Sequence, residues 1–119
     1  VVAPIAHDPR KKKRMVVQRG RNTSHRGKWL PAETEFRRLG ERDGVTAWLA
    51  QMRTGVMHQI RLHAAFAGIA LAGDKLYGGG PGLDFFPSTF ALHHIGVVGE
   101  NWIPEKVPLP EWWPNWVSI

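Results

Sequence analysis

At 119 residues the chain suffices for one small domain, and without cysteine it can build neither a disulfide framework nor thiolate chemistry. No apolar run reaches the length of a membrane span, and the first residues lack the charged, apolar and small-residue pattern of a secretory signal; the expectation is a soluble, cytoplasmic protein with no membrane partner. The net charge of +6 is concentrated at one end: residues 1–30 carry nine Lys/Arg against one acid, the remainder seven against nine. Such a cluster matches the electrostatic footprint for a phosphate backbone.

In chain order, Val1 to Ile5, broken by Pro4, reads as an edge strand or strand end, and Met15 to Gln18 as another strand. His7-Asp8-Pro9 opens a turn between them, followed by the continuous basic run Arg10, Lys11, Lys12, Lys13 and Arg14. Taken alone, such a run is more often a solvated loop than a binding surface. Gly20 to Gly27 is expected to be a mobile loop, with Arg19, Arg21, Arg26 and Lys28 available to clamp a phosphate backbone or simply to face water. From Ala32 to Arg53 the pattern is a hairpin: a strand through Phe36 and Leu39, a turn at Asp43-Gly44, and a return strand Val45–Met52. The return strand is apolar on both faces, as suits a central strand covered by the helix that follows.

That helix is expected over Met57–Ala67, with Thr54 as N-cap and Gly68 taking the left-handed backbone at its end. Met57, Ile60, Ala64 and Gly68 share one side, with Arg61 inside the same stripe, and Leu62 and Phe66 lie opposite, so the helix should be buried between layers. An unpartnered buried cation costs on the order of several kcal/mol, so Arg61 must face a carboxylate, a phosphate or a wet cleft. Periodicity leaves a structural ion pair and a functional site equally open.

Beyond the helix, Gly73-Asp74 and Gly78 to Gly82 punctuate a loop that lacks the Gly-Lys-Ser/Thr ending of a phosphate-binding loop, which argues against nucleotide binding there. Asp74 reads as a turn or capping residue and Tyr77 as part of a cleft wall. Phe90–Val98 reads as a strand with His93 and His94 on opposite faces, and His58 and His63 are five residues apart, so no metal site is expected. The tail, Asn101–Ile119, alternates Trp102, Trp112, Trp113 and Trp116 with prolines and should be irregular, its rings folded back over a sheet face.

The ordered series Thr54-Gly55-x-x-His58-Gln59-Ile60-Arg61-x-His63, Gly73-Asp74-x-x-Tyr77-Gly78 and Leu92-His93-His94 resembles the C-terminal half of the catalytic domain of RluA-type RNA pseudouridine synthases. Pro4-Ile5 with the basic run and Met15-Val16-Val17, and then Ala32-x-Thr34-x-Phe36, resemble further strands of that domain, so the likeness covers most of positions 1–98. It implies an α/β (α+β) fold with a mostly antiparallel mixed sheet and one long buried helix. It also implies a chemistry needing no cofactor or metal: an aspartate attacks a flipped-out uridine in structured RNA, rRNA or tRNA, and the base turns and rejoins through carbon. On this resemblance Arg61 pairs with that aspartate, and His58, Gln59, Tyr77 and the run Arg10, Lys11, Lys12, Lys13 and Arg14 contact RNA.

The chain departs from the family pattern in two ways. The His-Arg-Leu-Asp-x-x-Thr-Ser-Gly segment that carries the nucleophile is absent, none of Asp8, Asp43, Asp74 and Asp84 standing in such a motif, and Val56 replaces the usual arginine of Thr-Gly-Arg. The expectation is that residues 1–119 are the C-terminal part of one catalytic domain, inactive alone and prone to self-association through uncovered sheet edges. The alternative is a non-catalytic RNA-binding module derived from the family.

Overall fold

The computed structural model describes residues 1–87, 89–95 and 109–119. Among the described residues five strands and one α-helix form an α+β arrangement: β1 (Ile5–His7), β2 (Met15–Val17), β3 (Arg26–Leu30), β4 (Thr34–Arg42), β5 (Val45–Met52) and α1 (Gln59–Phe66), followed by a 3-10 turn at Lys75–Tyr77. The strands divide into two sheets, a three-stranded one in the order β2-β1-β3 and the β4-β5 hairpin, and every pairing is antiparallel. The expected α+β fold with antiparallel strands and a buried helix is present, its strands divided between two sheets, and β5, expected as a central strand, pairs only with β4 among the described residues.

Local chemistry explains the hairpin. Asp43 and Gly44 have φ of 52° and 77°, so both central residues of the two-residue loop are left-handed, the backbone that matches strand twist in a tight hairpin. β3 was not anticipated. Gly27 at φ 77° and an irregular register against β1 disrupt the alternation by which a strand is recognised. The stretch 90–95, expected to begin a strand, is irregular, and 96–98 lie outside the described residues, as does Trp102.

α1 is two turns long, shorter than the expected span. It cannot extend back to Thr54, because His58 holds φ 58° and ψ 20° and forms no side-chain cap. At the other end Gly68 has φ 82°, and the Gly68 N–H to Ala65 carbonyl and Ile69 N–H to Ala64 carbonyl bonds close the helix as its sequence predicts. Leu62 packs into the core with Ala3, Ile5, Met15, Val17, Ala32 and Tyr77. Ile5 and Met15 are fully buried, each worth roughly 1.5–3 kcal/mol of apolar transfer. On another side, Ile60 and Ala64 border an apolar cavity of about 450 Å³ closed by the hairpin and by Trp113, Trp116 and Val117 of the tail.

A buried polar circuit fastens the helix to the strands. Gln59 Nε2 donates to the Glu33 carbonyl (2.8 Å) and to Thr34 Oγ1 (3.0 Å), and its Oε1 accepts from Thr54 Oγ1 (2.8 Å) and the Val56 N–H (3.1 Å). Thr34 Oγ1 lies 2.8 Å from His63 Nδ1, and His63 Nε2 lies 2.9 Å from the Ala3 carbonyl. A carbonyl only accepts, so Nε2 carries the proton and Nδ1 receives the Thr34 hydroxyl proton. Burial holds the His63 pKa below the usual histidine value.

That depression has a sign. The unfolded chain takes up a proton near pH 6.5 and the folded one only below it, so the stabilisation is complete above about pH 6.5 and is lost as pH falls toward the folded value. The melting temperature is expected to fall as pH drops from 7.5 to 5.5; a flat profile over that range, measured by thermal unfolding, would contradict a neutral buried His63.

Candidate active site

Across α1 from this circuit stands Arg61. Its Nε and Nη2 donate to Asp74 Oδ2 and Oδ1, each at 2.9 Å, while Nη1 stays outside the pair. Only 14% of the Arg61 side chain and 1% of the Asp74 side chain is exposed. The carboxylate bond raises the Arg61 pKa, so the guanidinium stays charged despite its burial. The ring of Phe90 lies 4.1 Å and that of Tyr77 5.1 Å from the guanidinium carbon, adding cation–π contacts on an already neutralised cation. Asp74 stands at the N-cap position of the 3-10 turn, as its reading as a turn or capping residue expects, but its side chain makes no cap and is instead the partner that a buried Arg61 requires.

The loop that delivers Asp74 is built from glycine. Gly73 and Gly78 have φ of 80° and 84°, and a Cβ on Gly73 would collide with the Thr89 carbonyl oxygen. The Asp74 N–H bonds the Leu71 carbonyl (3.0 Å), the Asp74 carbonyl accepts from the Gly79 N–H (2.6 Å), and the Gly73 N–H bonds the Gly80 carbonyl (2.9 Å). Gly73-Asp74-x-x-Tyr77-Gly78 is therefore a closed loop that aims one carboxylate and one phenol at the same helix face.

Tyr77 is buried, and its hydroxyl joins three elements. It accepts from the Met15 N–H at 3.0 Å and lies 2.7 Å from His58 Nδ1. Burial raises the Tyr77 pKa and, together with the neighbouring Arg61 charge, lowers that of His58. A phenol that donates to Nδ1 leaves Nε2 to carry the imidazole proton, and its oxygen still accepts from the Met15 N–H. The left-handed backbone at His58 costs on the order of 1–3 kcal/mol, and this side-chain bond holds the residue there.

The basic run is connected to the same cluster. Asp8 Oδ1 accepts from the N–H groups of Arg10 (2.8 Å) and Lys11 (2.9 Å), and Asp8 Oδ2 pairs with Arg14 Nη1 at 2.9 Å. These donors, the two backbone N–H groups first, hold the Asp8 pKa down to about 2. Arg14 in turn sits 5.7 Å from the centre of the Tyr77 ring. Arg10, Lys11, Lys12 and Lys13 are exposed, and their side chains meet no acid among the described residues.

Of the residues expected at the site, Arg61, His58, Tyr77 and Arg14 converge, while Arg10, Lys11, Lys12 and Lys13 lie exposed on the adjoining turn that Asp8 holds. Gln59 does not join them. Expected to contact RNA, it is 1% exposed with both ends of its amide spent inside the fold, so it is a structural residue. Asp8, Asp74 and Phe90 were missed. The available signal for Asp74 was the demand of Arg61 for an anion, since Asp74 is the acid in the motif that follows the helix.

No protein-family model matches the chain. Among curated proteins it is 34% identical over 116 residues to the uncharacterized RNA pseudouridine synthase YlyB of Bacillus subtilis, covering 92% of this chain and 34% of YlyB. It is 39% identical over 79 residues to ribosomal large subunit pseudouridine synthase D of Nitrosomonas europaea (66% of this chain, 20% of that protein). It is 35% identical over 82 residues to the chloroplastic RNA pseudouridine synthase 2 of rice (66% and 18%). The chain thus spans about a third of the length of YlyB and about a fifth of the other two. With the ordered motifs and the α+β frame that holds them, these relationships place the chain in the RluA-type RNA pseudouridine synthase family.

Proposed function

We propose that residues 1–119 are the C-terminal part of a pseudouridine synthase catalytic domain that isomerises a uridine in structured RNA, rRNA or tRNA, with the nucleophilic aspartate on a separate segment of the protein. The observation that carries this reading is Arg61: a buried, charged guanidinium held by Asp74, with Nη1 left over for a second anion. In the family's reaction an aspartate attacks, the bond from N1 to the ribose breaks, and a new bond from C5 replaces it. C5 loses its proton and N1 gains one. Arg61 Nη1 would meet the aspartate and keep it ionised, since an adjacent cation lowers a carboxylate's pKa. His58 and Tyr77 would form the wall beside the flipped base, which must leave its stack to be reached. The reading needs no cofactor and places the protein with cytoplasmic RNA.

Tritium at C5 of uridine in the RNA reports the reaction directly, because forming the carbon link expels it to water. The full-length protein is expected to release tritium. Arg61→Lys keeps the charge but loses the planar two-point bond to Asp74, and should lower release by about 100-fold or more with RNA affinity nearly unchanged. Release close to wild type from that variant would remove Arg61 from the mechanism. RNA bound by the wild type with no release would favour the binding-module alternative, to which Val56 points: it packs against the core where the family carries a cation.

The exposed basic run makes a separate prediction. Each phosphate contact contributes about 0.7–0.9 to the slope of log affinity against log salt. Replacing Lys11, Lys12 and Lys13 with alanine in the full-length protein should therefore make that slope shallower by about 2–3. An unchanged slope in a salt titration would take the run off the RNA surface.

A further inference from the structure

Strand β3 carries a feature that the site above does not use. The rings of His25 and Trp29 lie with centroids 4.2 Å apart and planes tilted by 33°, with His25 exposed and Trp29 half-buried. The pair is fixed from below. Thr23 Oγ1 accepts from the N–H groups of Arg19 (3.0 Å) and Gly20 (3.1 Å) and donates to the Gly20 carbonyl (3.0 Å), and the Thr23 carbonyl lies 3.0 Å from His25 Nδ1. Since that carbonyl can only accept, Nδ1 carries a proton, and the bond sets the angle of the ring. Arg19, at the start of the turn, lies 4.9 Å from the ring of Phe66 on α1, which ties the turn to the helix.

The chain on either side of the rings is rich in cations. Arg21, Arg26 and Lys28 are exposed and meet no acid among the described residues. Two rings in close, tilted contact, Trp29 on the edge strand β3 and His25 just before it, held by a closed turn and flanked in the chain by unpaired cations, have the two attributes of single-strand nucleic-acid sites: a π-face for a base and positive charge for the adjoining phosphates. A duplex offers no such base, because both faces of each base are already stacked.

We propose that the His25–Trp29 ring pair is a stacking platform for an unpaired nucleotide of the RNA, with Arg21, Arg26 and Lys28 holding the phosphates on either side. The proposal rests on the RNA reading above and adds the class of RNA taken at this surface, a single-stranded segment. An incoming base would extend the stack on the exposed face of His25.

The test uses the full-length protein with two probes, a twelve-nucleotide oligouridylate and an RNA duplex of equal length. Trp29→Ala should weaken oligouridylate binding by roughly 5- to 100-fold and leave duplex binding within a factor of about two. Trp29→Tyr, which keeps a ring, should restore most of the affinity. His25→Ala, at an exposed position, should weaken oligouridylate binding in the same direction and covers the case in which Trp29→Ala does not fold. Unchanged oligouridylate binding in His25→Ala and in a folded Trp29→Ala, alongside weaker binding of both probes after replacing Lys11, Lys12 and Lys13, would overturn the platform and leave the RNA reading standing. Failure of the wild type to bind either probe at low salt would overturn both.

Discussion

The placement of everything else in this chain depends on the circuit in which Gln59, Thr34 and His63 exchange hydrogen bonds between α1 and the strands. Each member is buried, and each donor and acceptor is met by a neighbour of the right polarity. Such an arrangement is unforgiving, because a buried polar atom that loses its partner costs about 1–3 kcal/mol. Its directionality fixes what apolar packing cannot. Gln59 and His63 are one helical turn apart and share a face, while Arg61 lies about 200° from Gln59 around the axis. Anchoring the first two against Thr34 and Ala3 turns Arg61 toward the loop that carries Asp74.

One short motif therefore does two jobs. Gln59 and His63 belong to the scaffold, and His58 and Arg61 to the candidate site. Tyr77 then gathers three separate parts of the chain on one hydroxyl and one ring: the β2 backbone at Met15, the helix entry at His58, and the guanidinium of Arg61. Through Arg14, which is paired to Asp8 and stands over the same ring, the basic loop is in mechanical contact with the site. A phosphate drawing on Arg14 would compete with Asp8 for it, which gives the basic loop a physical connection to the Tyr77 cluster.

Features set by a few adjacent residues were legible in the sequence. Asp43-Gly44 specified the hairpin loop, Gly68 the end of the helix, and Met15-Val16-Val17 a strand, because turn backbone and side-chain alternation are local properties. The need of Arg61 for an anion was legible as well. That Asp74 meets it was legible only as a candidate, the acid in the motif after the helix, because the spacing does not say how far the glycine-bounded loop turns back toward Arg61. The start of α1 was misplaced because Thr54 is a good capping residue by type, yet its hydroxyl is drawn to Gln59 and His58 takes a left-handed backbone held by Tyr77. β3 escaped notice because its exposed, glycine-containing sequence has no apolar alternation. Gln59 was assigned to the RNA surface by resemblance alone, and its burial reassigns it to the frame.

That reassignment is open to direct measurement: melting temperature and turnover per folded molecule, side by side, for Gln59→Leu and Arg61→Lys in the full-length protein. The account predicts opposite failures. Gln59→Leu should melt well below wild type while its folded fraction still modifies RNA, and Arg61→Lys should lose turnover with a much smaller change in melting. A Gln59→Leu protein that melts like wild type but no longer modifies RNA would contradict the division between scaffold and site.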